Sequence, residues 1–197
     1  MNEKLEYSKT KRVEKMTYEE LARIYKPTGK IKCLFIAEAP PEKNEGEGED
    51  ELKYFYNDKV AKKDHLLQNI VEILFTAKYK RSDKKQWLLE LQSNGGFLID
   101  AIHTPIQSGL SDKVIARLID DDFPYLLKKL KELADKDTKI ILIKKAVYNS
   151  LNVRLKTLGF NVVNTEMLHF PSHGHQPQFR EKFKELIVKE QINFFLH

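Results

Sequence analysis

The chain has 197 residues, 41% hydrophobic and 32% charged, with a net charge of +5 and one cysteine. That length suits one domain with a core of its own, and the basic balance favours an anionic partner such as nucleic acid. The lone Cys33 excludes a disulfide within the chain and any four-cysteine zinc or iron–sulfur site, and no apolar run reaches the roughly 18 residues of a membrane helix. The charged N-terminus is unlike a signal peptide, so a cytoplasmic location without membrane contact is expected.

Residues 1–16 are polar and lysine-rich and read as a flexible basic arm ahead of a single domain over 17–197. Thr17 caps a short helix through Arg23, with Glu20 completing a capping box. Pro27 and Gly29 turn the chain into the first strand, Ile31 to Ala37, whose unbroken apolar run suits a strand buried on both faces. Residues 42–53 are acidic and aperiodic and read as a mobile loop. His65 to Ala77 carries Leu66, Ile70, Ile73 and Leu74 at helical spacing. A basic connector, Lys78 to Lys85, precedes a short helix with Trp87, Leu88 and Leu91 that ends at Asn94-Gly95-Gly96.

Phe97 to Ile102 is the second strand. Ser111 or Asp112 caps a helix with Val114, Ile115, Leu118 and Ile119 inward, and Asp122 with Phe123-Pro124 restarts a helix bearing Leu126, Leu127, Leu130 and Leu133. Lys139 to Ile143 is the third strand, and Lys145 to Leu158 is helical until Gly159. Phe160 to Val163 begins a fourth strand region running toward Leu168, and Pro177 starts a last helix with Phe179, Phe183, Leu186 and Ile187 on one face. Strands alternating with helices predict an α/β protein: a three-layer α/β/α arrangement around a central, mostly parallel four-stranded sheet. In such sheets ligands sit beyond the carboxyl ends of the strands.

Three segments put chemistry at those ends. Cys33-Leu34-Phe35-Ile36-Ala37-Glu38-Ala39-Pro40-Pro41 runs from a strand into an acidic, proline-bearing loop. Phe97-Leu98-Ile99-Asp100-Ala101 delivers a carboxylate, and Leu168-His169-Phe170-Pro171-Ser172-His173-Gly174-His175 is a histidine-rich loop opening a helix. Acid, acid and imidazole on neighbouring loops describe an active-site rim.

Together these motifs resemble the uracil-DNA glycosylase superfamily, over Ile31 to roughly Glu185. Ile36 to Pro41 is similar to the family's glycine–glutamate–alanine–proline–glycine variant, with Ala37 and Pro41 in place of the glycines. The strand ending in Asp100 resembles the one that ends in the family's base-reading asparagine. His169-Phe170-Pro171-Ser172-His173 resembles its histidine–proline–serine loop with Phe170 inserted.

The resemblance implies roles. Ala39 and Pro40 would border the base, with Phe55 (or its neighbours Tyr54 and Tyr56) stacking on it and Asp100 reading its edge. A carboxylate from Glu38 or Glu42, with Asn44 and Glu45 also nearby, would support the attack of water. Ala39 falls where some relatives carry aspartate or asparagine, so that position cannot supply the acid. His169 or His173, depending on register, would assist departure of the base. Ser172, His173, His175 and Gln176 would meet the duplex. The family works without a catalytic metal, and no cofactor is expected.

Read from the residues themselves, an ionised Asp100 only accepts hydrogen bonds, which suits an exocyclic amine such as cytosine N4 more than the uracil edge. Its plainer role would be capping a helix or loop. The Tyr54–Phe55–Tyr56 cluster could equally anchor a loop to the core, and Glu38 could merely bind backbone amides. The histidines at 169, 173 and 175, with His103 on another strand-end loop, admit a metal site as a competing idea. Lys144 and Lys145 on the rim, and Lys78-Tyr79-Lys80-Arg81 with Lys84-Lys85, are candidates for DNA phosphates. The expectation is a monomeric, monofunctional DNA glycosylase that excises a noncanonical, cytosine-type base. Alternatives are an inactive nucleic-acid-binding module on the same fold and a nucleoside N-glycosidase.

Overall fold

Thr17 opens α1 (Tyr18–Ile24) with the expected capping box: its hydroxyl accepts from the Glu20 amide at 3.2 Å, and the Glu20 carboxylate accepts from the Thr17 amide at 2.7 Å. The computed structural model describes residues 16–43, 54–59, 64–172 and 174–196. The expected arm, apart from Met16, lies outside the described residues, as do Asn44, Glu45 and His173.

The strands β1 (Cys33–Ala37), β2 (Gly96–Asp100) and β3 (Lys139–Leu142) form a parallel sheet in the order β2-β1-β3. Every residue of the central β1 is buried, which is why its sequence is apolar throughout instead of alternating. Cys33 at its start is fully enclosed, and burial pushes its thiol up from the ordinary range, as befits an inert core residue. On the free edge of β2, the Tyr56 hydroxyl donates to the Leu98 carbonyl at 2.9 Å and accepts from the Leu98 amide at 2.7 Å. A side chain thereby closes an edge that would otherwise offer unpaired backbone.

Helices α2 (His65–Leu74) and α6 (Gln176–Lys189) pack together, as do α4 (Asp112–Leu133) and α5 (Lys145–Thr157), while α3 (Lys84–Ser93) lies against β2. The chain is thus a mixed α/β protein with a parallel sheet. Among the described residues no helix is long and apolar enough to cross a membrane.

The structure differs from the sequence reading at five places. Helix α4 is unbroken, with Pro124 inside it, where a restart is expected. Pro124 and Asp120, whose carbonyl loses its amide partner to the proline, both lie on the exposed face, so water can satisfy that carbonyl. The buried stripe Ile115, Ile119, Phe123, Leu126 and Leu130 meanwhile runs straight through. Val114, expected inward, is exposed. Helix α2 stops at Leu74, before Ala77, because Thr76 takes a positive φ of 50°.

The expected fourth strand is replaced by two isolated parallel bridges, Ile140 with Val162 and Ile143 with Leu168. Between them the buried Asn164 side chain does the pairing: its Oδ1 accepts from the Leu142 amide at 3.0 Å and its Nδ2 donates to the Leu142 carbonyl at 2.9 Å. The edge of β3 is therefore satisfied by an amide side chain where a strand would use backbone. Finally, Lys84 is fully buried and cannot face a phosphate: its Nζ donates to Asp64 at 2.7 Å and to the Tyr54 carbonyl at 3.1 Å. A buried ammonium requires such partners.

Candidate active site at the carboxyl edge of the sheet

Backbone hydrogen bonds continue past the strand ends and fix what stands there. The Ala101 amide donates to Ala37 at 2.8 Å and the Ile102 amide to Glu38 at 2.9 Å. On the other side the Ile143 amide donates to Ile36 at 2.9 Å and the Lys144 amide to Leu168 at 2.8 Å. The result is a row across the sheet edge: Asp100, Glu38, Lys144 and then His169. From β1 the chain leads on to α2, and from β3 to α5, helices of different pairs. Glu38 and Lys144 thus stand where these connections leave neighbouring strands, at the carboxyl ends where parallel sheets commonly bind ligands.

At the centre, Lys144 Nζ donates to Glu38 Oε1 at 2.5 Å. Glu38 is largely buried, and its Oε2 has no hydrogen-bond partner among the described residues. A buried acceptor left open is a place for a water or for a donor on a ligand.

Asp100 shares a cavity of about 20 Å³ with Tyr18, Glu19, Pro40, Tyr54 and His103. Burial first, and the charge of Glu38 second, push its carboxyl up to about 7, against the opposing pull of Lys129. Near neutral pH both protonation states are therefore present, and the protonated one donates as well as accepts. The cavity has room for about one water and not for a base ring. It is covered by α1: the Tyr18 hydroxyl donates to the Pro41 carbonyl at 2.6 Å, the Tyr54 hydroxyl donates to the Tyr18 carbonyl at 3.1 Å, and the Tyr125 hydroxyl bonds Glu19.

His103 follows Asp100 by three residues and also borders this cavity. Its Nδ1 lies 2.6 Å from Asp122 Oδ2, which also accepts from the His103 amide, and the ring packs 4.5 Å from Tyr125. An imidazole held by a carboxylate through one nitrogen has its ring orientation set by that bond.

On the far side of the row, His169 stacks on His175 with ring centroids 4.7 Å apart. Burial first, then His175, Lys182 and Lys145, holds its imidazole below the usual range, so at neutral pH it is uncharged and keeps one N–H to donate. Gln176 opens α6 and, with Arg180, Arg81 and His65, borders an open cleft of about 460 Å³. Arg180 is held there by Glu72 at 2.5 Å and Asn69 at 3.1 Å.

The structure thus brings Glu38, Asp100, Lys144 and His169 to one edge, with Pro40 against the Asp100 cavity and Ala39 partly buried beside it. It does not bring Phe55 there: Phe55 is buried, its ring 4.9 Å from Tyr56, and of the three neighbours 54–56 it is Tyr54 that borders the Asp100 cavity. Glu42 is exposed, and Lys145 pairs with the equally exposed Asp112 at 3.2 Å. Ser172 is partly buried and its carbonyl accepts from the His175 amide at 3.0 Å. Among the described residues no group of three or more histidine, cysteine, aspartate or glutamate side chains is disposed to hold a metal.

Sequence reasoning missed the His103–Asp122 pair and the cover formed by Tyr18, Glu19 and Lys129. Its one signal was a histidine just past a strand-end aspartate. In comparisons with models of known families, with curated proteins and with solved structures, nothing matches this chain.

Proposed function

We propose that the protein is a monofunctional DNA glycosylase that extrudes a noncanonical base and hydrolyses its N-glycosidic bond, leaving an abasic site. The observation that carries this reading is the row of Asp100, Glu38, Lys144 and His169 at the carboxyl edge of a parallel sheet. The motifs' resemblance to the uracil-DNA glycosylase superfamily supports it. So does the finer architecture: right-handed crossovers from β1 to β2 and back across to β3 would set the two helix pairs on opposite faces, in three layers. The bridged segment 162–168 would then stand in for the fourth strand.

Each group has a task that its surroundings suit. Glu38 Oε2, buried and without a partner among the described residues, orients the attacking water and stabilises the sugar as it gains positive charge once the base is bound. Asp100 reads the base edge, as acceptor from an amine when ionised. The neutral His169 donates to the base as it leaves with the electron pair of the broken C–N bond. Gln176 and Arg180, at the start of α6 on the open cleft, would contact the phosphate backbone. Extrusion costs a few kcal/mol, least for a weakly paired base. Repair of damaged bases and defence against modified phage DNA are both compatible with this chemistry.

The small covered cavity beside Asp100 favours a second reading, an inactive nucleic-acid-binding module on the same fold. Incubation with duplexes bearing uracil, hypoxanthine or modified cytosines, followed by mild alkali, tests the two. A base-specific, alkali-labile break supports the glycosylase. An intact panel that still binds in a salt-dependent way supports the module.

A further inference from the structure

Among the described residues three besides glycine take a positive φ: Thr76 at 50°, Gln191 at 52° and Lys144 at 85°. Thr76 and Gln191 lie just past the ends of α2 and α6, where left-handed residues commonly close a helix. Lys144 differs. It opens α5, and its φ of 85° with ψ of 142° borders the extended positive region that glycine alone occupies without strain. Glycine would satisfy this turn with no side chain to strain it, yet a lysine stands there with its ammonium on Glu38 Oε1 at 2.5 Å. The Glu38 carboxylate is only 14% exposed, and its second oxygen is buried without a hydrogen-bond partner among the described residues. The strained backbone and the half-satisfied carboxylate meet at one hydrogen bond.

We propose that Lys144 is a positioning residue for Glu38, gripping Oε1 so that Oε2 faces the reacting sugar and its water, and that it does not serve as a phosphate contact. The proposal rests on the reading of Glu38 as the acid of the site. The turn lifts the Lys144 ammonium back over the sheet edge toward β1, and with Oε1 occupied the carboxylate cannot swing into backbone amides. Arginine can keep such a grip; methionine, alanine and glycine cannot.

The test uses the full chain with Lys144→Met, Lys144→Arg, Lys144→Gly, Lys144→Ala, Glu38→Gln and the double Glu38→Gln/Lys144→Met. Probes are the duplex from which base is released and an unmodified duplex of the same sequence. Lys144→Met is expected to lower kcat about 100-fold, the scale of one acid–base group, with KM and the salt dependence of duplex binding unchanged. Lys144→Arg should restore most of that loss. The double variant should be no slower than Glu38→Gln alone, since both substitutions remove one function. Lys144→Gly should be as slow as Lys144→Ala yet melt above it, because the positive φ strains alanine by more than glycine loses in conformational entropy.

Additive losses in the double variant would overturn the proposal. So would a salt slope lowered by about one in Lys144→Met, the mark of a lost phosphate contact. If the unsubstituted protein releases no base, the reading of Glu38 as the acid fails and the positioning role fails with it; where base is released, additive losses or a lowered salt slope overturn the Lys144 assignment alone.

Discussion

Asp100 ends β2 and Glu38 directly follows the end of the neighbouring β1, and the charge of Glu38 adds to burial in pushing the Asp100 carboxyl up to about 7. Near neutral pH Asp100 is therefore present in both protonation states, so that this one carboxyl can both donate and accept.

The first consequence is for stability. Asp100 titrates from an ordinary 3.8 when unfolded to about 7 when folded, so between those values the folded state binds more protons. Stability from this group is therefore lost as pH rises from about 4 through 7, on the order of 4 kcal/mol in full. Asp100→Asn removes the slope. Urea midpoints of variant and parent should be closest near pH 4, with the variant's advantage widening to pH 8. A gap independent of pH would contradict the account.

Selectivity should move with the same group. Ionised Asp100 accepts from an exocyclic amine, whereas the protonated form offers a donor and an acceptor, as an asparagine does. The ratio of cytosine-type to uracil-type base release should rise severalfold from pH 6 to pH 8 in the parent and stay flat in Asp100→Asn. Competition between the two labelled duplexes in one reaction measures it.

The cover over Asp100 predicts a gate. Helix α1 is tied down through Tyr18, Tyr54 and the Tyr125–Glu19 bond, and the room beneath is about 20 Å³. Tyr125→Phe removes one tie that is largely exposed, at a cost of about 1 kcal/mol in stability. It should lower KM for the duplex while leaving kcat within about twofold. A higher KM would mean that α1 holds the base instead of excluding it.

Asn164 tests the fold's substitute for a strand. Replacing it with alanine strips the Leu142 amide and carbonyl of their side-chain partner in a buried place. The expected loss is about 2–4 kcal/mol, one buried group after another left unsatisfied. Chemical denaturation reads it, and a loss below about 1 kcal/mol would show that water replaces the amide.

The parts legible in the sequence were those set by local pattern. Continuous apolar runs marked β1, β2 and β3, and the first charged residue after each run marked Glu38, Asp100 and Lys144 at the sheet edge. What escaped depended on distant pairing. Asp122 looked like a helix start because nothing local says that His103 will bind it. Lys84 looked like a surface charge, since only folding brings Asp64 and the Tyr54 carbonyl to its ammonium. Asn164 read as part of a strand, although its side chain replaces one. Phe55 and Tyr54 alternate across a turn, and pattern alone could not choose which of them would face Asp100.

The most direct measurement is chromatographic detection of free base from duplexes bearing uracil, hypoxanthine or modified cytosines, with the parent chain and Glu38→Gln run side by side. The account predicts that the parent releases a cytosine-type base with one abasic site per base, and that Glu38→Gln releases it at least about 100-fold more slowly. A panel left intact by the parent, or release untouched by Glu38→Gln, would contradict it.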